Sequence, residues 1–177
     1  WRAWRRARRA KRGRGGEPAF SFALEENLLA LSEALRARTW RPDPYRYFRL
    51  NNTKERVVSE ATFRDRVVHH ALVSALEPCF EPSFYEHSYA CRKGKGTHAS
   101  LKRVQRLAQG HSHALRLDVK KYFDQMDHEV LMGLLSARVK DDGMLWLCRT
   151  LLSHAQVPTT PCDAKRGVPI GNLTSQF

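Results

Sequence analysis

Nowhere in these 177 residues does an apolar run approach the roughly 18 needed to cross a bilayer as a helix, which excludes an ordinary transmembrane span. The basic start also lacks the apolar stretch of a signal peptide, so the sequence reads as a soluble, cytoplasmic chain with no membrane role. Acidic residues are short as well: 18 Asp and Glu face 31 Lys and Arg, a formal charge of +13. An excess of that size points to a polyanionic partner, with nucleic acid ahead of an anionic membrane. Cysteine is sparse. Cys79, Cys91, Cys148 and Cys162 stand far apart without a C-x-x-C pair, which argues against a zinc site and against a disulfide framework. The chain opens at Trp1 without a Met and stops at Phe177 after a string that reads as the start of something, so an excerpt of a longer protein is expected.

What is present is enough for one ordinary domain, since 42% of residues are hydrophobic. Residues 1–16 carry eight basic residues, no acidic one and two Trp, a pattern that suits a phosphate-binding helix or a solvated tail. Leu24, Leu28, Leu31 and Leu35 recur at helical spacing within residues 22–38. Pro42 and Pro44 break that pattern, and residues 45–50 and 56–59 read as two strands around the polar turn Asn51-Asn52-Thr53-Lys54. Val67, Val68, Ala71, Leu72, Ala75 and Leu76 trace a core-facing helix that Pro78 is expected to end. Thr97 is placed to cap a helix bearing Leu101, Val104 and Leu107. Leu115, Leu117 and Val119 alternate with Arg116 and Asp118, the period of a strand buried on one face. Asp127 can cap a helix whose Val130, Leu131, Leu134 and Leu135 face inward, residues 144–152 read as a buried helix, and residues 167–177 as a loop leading into one more.

A carboxylate at the end of a buried strand, followed by a turn and a capped helix, is a common way to hold a hard divalent cation against phosphate oxygens. Asp118-Val119-Lys120-Lys121-Tyr122-Phe123 has that order, although a strand-end Asp standing alone is more often a turn or cap residue. His69 and His70 invite a metal reading, but neighbours on a helix diverge by about 100°, so neutral hydrogen-bonded histidines fit better.

The string DVKKYFDQMDHEVLMGLL at residues 118–135 resembles the palm segment of bacterial reverse transcriptases. Two further stretches resemble the same family in the same order. KERVVSEATFRDRVVHHALVSALEP and FEPSFYEHSYACRKGKGTHASL resemble its fingers and template-contacting region, and GVPIGNLTSQF resembles the segment lining its nucleotide pocket. The fold this implies is α/β (α+β): a partial right-hand polymerase with fingers and part of the palm, helix-rich around a small antiparallel sheet. Residues 1–21 would be a basic N-terminal extension and residues 22–177 the fingers and partial palm. The Ile-Gly…Ser-Gln version of the last segment is similar to the enzymes of diversity-generating retroelements within the group II intron-like group.

The resemblance implies an RNA-directed DNA polymerase acting by metal-dependent nucleotidyl transfer, in which metal ions neutralise the triphosphate and align the 3′-hydroxyl. By resemblance Asp118 is the catalytic carboxylate and a ligand of Mg2+, with Mn2+ as an alternative ion, and the Val119 carbonyl is a second ligand. Phe123 would be the ring beneath the nucleotide sugar that rejects a 2′-hydroxyl, against the plain reading of a packed core aromatic. Lys54 and Arg56 would face the incoming triphosphate. Ile170, Gly171 and Gln176 would line the nucleotide pocket, Gly171 letting backbone approach closely. Arg92, Lys93 and Lys95 would hold template phosphates, against the plain reading of a solvated loop. Arg64, Asp65 and Arg66 match a charged string of the family but equally suit a structural salt-bridge network. The partners implied are an RNA template, a DNA primer and a dNTP, with a small basic accessory protein if the subfamily resemblance holds.

Asp124 and Gln125 stand where related sequences often have Pro and Ser, and Asp124 reads as a turn residue. The family's second acidic pair, in a Tyr-x-Asp-Asp turn, does not occur after Gly171, and Asp141-Asp142 lies in the wrong order to replace it. The chain alone is therefore expected not to polymerise. A non-catalytic RNA-binding remnant of a reverse transcriptase is the alternative reading, and a metal-dependent nuclease built on Asp118, Asp124 and Asp127 ranks last.

Overall fold

The computed structural model describes residues 1–9, 11–51, 55–155 and 165–177. Helices dominate it. In chain order the described elements are α1 (Arg2–Ala7), α2 (Glu17–Phe22), α3 (Leu24–Arg36), β1 (Arg46–Asn51), β2 (Glu55–Glu60), α4 (Phe63–Phe80), α5 (Thr97–Ala108), α6 (Tyr122–Gln125), α7 (His128–Arg138), α8 (Asp142–His154) and α9 (Leu173–Gln176). β1 and β2 form an antiparallel hairpin in which Tyr47 faces Ser59 and Phe48 faces Val58. No described helix is long and apolar enough to cross a membrane.

The centre of the molecule is α4. Thr62 caps it, its hydroxyl accepting from the Asp65 amide at 3.3 Å, and the apolar stripe Val67, Val68, Leu72 and Leu76 is buried along its length. Pro78 lies inside the last turn instead of ending the helix, which runs on to Phe80. Its ring forfeits one amide bond and crowds the Ser74 carbonyl four residues back, and the helix ends two residues later. Trp4 and Ala7 of α1, Phe20 of α2, Leu31 of α3 and Leu145 and Cys148 of α8 join the same core. The basic start is thus an ordered helix lying along α4, with Arg66 Nε donating to the Ala7 carbonyl at 3.1 Å. A loose tail is not what residues 1–9 form.

The charged string at the start of α4 is a network. Arg64 pairs with Asp43 at 2.7 Å and donates to the Arg41 carbonyl at 2.7 Å, while Asp65 accepts from the Asp43 amide at 2.6 Å. Burial holds the Asp65 carboxyl up at about 6 despite that hydrogen bond. His69 and His70 are both held down near 4, chiefly by burial, which favours the neutral rings, but the hydrogen bonds expected of them are missing at both Nε2 atoms.

Three expectations are corrected. Residues 113–119 have no regular structure, and Leu115, Leu117 and Val119 are 84%, 83% and 69% exposed. A strand exists only where a neighbour accepts its backbone bonds, and the one described sheet has just β1 and β2. Second, α5 forms but buries no residue, so Leu101, Val104 and Leu107 are exposed, and its N-cap is Gly96 with no side-chain cap. Third, Val130 and Leu134 of α7 are exposed, while Leu135 packs against the core as expected and Met132 joins it.

Candidate functional site

Residues 165–172 are the strap that assembles the site. On one side the strap runs antiparallel to the start of α7: His128 N donates to the Lys165 carbonyl at 3.1 Å, Gly167 N to Met126 at 2.8 Å and Val168 N to Phe123 at 2.8 Å. His128 Nε2 also lies 2.7 Å from the Gly167 carbonyl. On the other side Ser59 N of β2 donates to the Ile170 carbonyl at 2.8 Å. Phe123, Ile170, Gly171 and the β hairpin are therefore linked through one short segment.

Gly171 has φ +112, a conformation that side chains rarely adopt. A Cβ there would lie 2.6 Å from Val58 Cγ1 and 3.1 Å from the Ser59 carbonyl. The close approach that this glycine makes here is to β2. Phe123 sits half-buried in α6 with its ring edge-on to Tyr122 at 5.4 Å. Arg56 is exposed on β2, opposite Leu50. Lys54 lies outside the described residues.

Asp118 is exposed in the irregular segment, and Lys121, at φ +52, turns the chain into α6. The expected cap follows: Asp127 accepts from the amides of Glu129 at 2.9 Å and Val130 at 3.1 Å, and its carboxyl is held low, the Val130 amide contributing most. Among the described residues no group of three or more His, Cys, Asp or Glu could hold a metal ion. Asp118 and the Val119 carbonyl are oxygen donors of the kind Mg2+ takes from protein, and they would supply part of such a site, not the whole of it.

The basic loop after α4 is tied inward. Arg92 donates through Nε to Glu81 at 2.9 Å and through its terminal nitrogens to the Tyr85 and Ser88 carbonyls at 2.8 and 3.1 Å, leaving its side chain 11% exposed. Lys93 pairs with Glu77 at 2.9 Å but is mostly exposed, and Lys95 donates to the Glu86 carbonyl beside the Tyr89 ring. Gln176, exposed on α9, accepts a weak bond from Cys91 Sγ at 3.9 Å, so this loop meets the end of the strap. The sequence reading missed the Arg92–Glu81 pair, although a Glu eleven residues upstream of an Arg across a turn is its only local signal.

The model of the reverse transcriptase (RNA-dependent DNA polymerase) family matches residues 46–176. The group II intron-encoded protein LtrA of Lactococcus lactis subsp. cremoris is 31% identical over 123 residues, 68% of this chain and 20% of LtrA. Nuclear intron maturase 1, mitochondrial, of Arabidopsis thaliana is 34% identical over 96 residues, 54% of this chain and 14% of that protein. Protein YkfC of Escherichia coli K12 is 30% identical over 160 residues, 86% of this chain and 42% of YkfC. The chain thus spans about a fifth of LtrA and less than half of YkfC. With a match running from the first residue of the hairpin to the last helix, and with the strap placing its matched segments side by side, the chain belongs to the reverse transcriptase family.

Proposed function

We propose that this chain is the fingers and the beginning of the palm of an RNA-directed DNA polymerase that copies RNA into DNA. The observation that supports the reading is the strap, a single segment hydrogen-bonded to Phe123 of the palm-like segment through Val168 and to Ser59 of the hairpin through Ile170, with Gly171 against Val58. A nucleotide pocket built around this strap would have a ring for the sugar, a backbone wall for the base and basic residues for the triphosphate. In this assignment Phe123 rejects a 2′-hydroxyl, Arg56 and Lys54 face the phosphates, and Ile170, Gly171 and Gln176 form the wall.

On the template side, Lys93 and Lys95 are the phosphate-facing residues, and Arg92 holds the loop that presents them. Asp118 is assigned as one carboxylate ligand of Mg2+ or Mn2+, beside the Val119 carbonyl, with further ligands drawn from outside the described residues. The partners are an RNA template, a DNA primer and a dNTP, with a small basic accessory protein as a further candidate; +13 of formal charge suits a heteroduplex gripped by its backbone. The subfamily assignment, to the diversity-generating branch, rests on Ile170 and Gln176.

Primer extension on an RNA template by the full protein encoded with this chain tests the reading. Asp118→Ala should abolish extension, and Phe123→Ala should let ribonucleotides in, raising their use relative to deoxynucleotides by about tenfold or more. A second reading is an RNA-binding protein without polymerase activity, which the formal charge of +13 suits equally well. Tight RNA binding with no extension, unchanged by Asp118→Ala, would select it.

A further inference from the structure

Two buried polar groups from distant parts of the chain are left without a hydrogen-bond partner and line the same cavity. His69, in the first half of α4, is 2% exposed, and Asn172, at the N-cap of α9, is 4% exposed. His69 Nε2 and Asn172 Nδ2 have no partner, and both residues belong to the lining of a cavity of about 90 Å3. Gly171, Val58 and Ser59 form another wall, and the paired Lys11 and Glu60 stand at its edge, 3.7 Å apart. A buried amide or imidazole nitrogen with nothing to bond is costly, and a polar cavity of this size has room for water.

The cavity lies directly behind the strap. Ile170 is pinned to β2 by its carbonyl, Gly171 is crowded against Val58, and the next residue, Asn172, lines the same cavity as His69 of α4. We propose that His69 and Asn172 are positioning residues, joined through one or two waters held in this cavity, that fix the Ile170–Gly171 segment on β2 and so set the wall of the nucleotide pocket. The proposal rests on the reading of that pocket given above. A neutral imidazole suits the task, because one ring nitrogen can donate while the other accepts. Asn172 offers both polarities from one amide, so water between the two can be fully bonded.

The test uses the full protein with His69→Leu, Asn172→Leu, the double variant and His69→Gln. Each Leu variant should raise the KM for dNTP about five- to tenfold while changing kcat less than twofold, as expected for one lost hydrogen bond that acts through pocket geometry. The double variant should be no worse than the worse single, and His69→Gln should stay within about twofold of the parent. Amide hydrogen exchange at residues 170–172 should quicken in both Leu variants and stay protected in His69→Gln. Multiplying effects in the double variant, or unchanged exchange at residues 170–172, would overturn the proposal. If the parent protein does not extend a primer at all, the polymerase reading fails on its own, and the exchange pattern alone decides for or against the bridge.

Discussion

The two halves of the candidate site are built differently. The hairpin, α4, the strap and the core they share form a closed unit in which Trp40 is 1% exposed, Asp65 sits in a charged network and Gly171 packs against Val58 and Ser59 of β2. The segment carrying Asp118 has no such support: its Leu115, Leu117 and Val119 face solvent, and α5 before it buries nothing. One half holds its shape through its own contacts, while the other keeps a strand-like pattern without a sheet to join. Pocket geometry therefore belongs to the closed half, and the chemistry assigned to Asp118 depends on the open half finding further partners.

Core truncation should show the contrast at its largest. Trp40→Ala removes a fully buried ring from the closed half and should destabilise the chain by about 3–5 kcal/mol, read as a lower urea midpoint at unchanged slope. A midpoint close to the parent would mean that the closed half is not the stable unit described. Gly171→Ala comes next. The added methyl meets Val58 Cγ1 and the backbone is held at positive φ, so a loss of roughly 1–3 kcal/mol is expected. If alanine is tolerated without loss, the strap is not locked on β2.

Acid should weaken the closed half selectively. Burial lowers His69 and His70 from 6.5 to about 4, so between those values the unfolded chain takes up protons that the folded chain does not, and stability falls as pH drops through the window. Asp65 works the other way: its carboxyl, raised from 3.8 to about 6, is protonated first in the folded chain and adds stability over the lower part of the same window. Two groups oppose one, and the net is a loss. Melting temperature should fall by a few degrees from pH 7 to pH 4.5, and less so in His69→Gln, whose amide does not titrate. Equal falls in both proteins would remove His69 from the account.

Much of the closed half was legible in the sequence. The apolar stripe of α4, the pairing of β1 with β2 and the Asp127 cap all follow from local patterns, because periodicity and capping are decided within a few residues. Arg64, Asp65 and Arg66 were readable as a network for the same reason, although their partners Asp43 and Ala7 were not. What stayed hidden is long-range. Val58 crowding Gly171 joins residues more than a hundred positions apart, and no spacing rule reaches that far. Leu115 to Val119 misled in the opposite sense, since alternation states which face a strand would bury but not whether a neighbouring strand is there.

The smallest effect is the sharpest probe of the open half. Leu117→Ser replaces a side chain that is already in solvent, so no burial is lost and the chain's stability should stay within about 0.5 kcal/mol of the parent. The same substitution in the full protein has a different expected outcome if residues 115–119 pair there with further strands, because an apolar face buried in a sheet would then lose about 2–4 kcal/mol. Urea denaturation of both forms reads this directly. A small loss in the chain with a large loss in the full protein means that the strand pattern is real and is completed by residues beyond those described. Equal small losses mean that Asp118 stands on a loop in the full protein too, and its assignment as a fixed metal ligand loses its structural support.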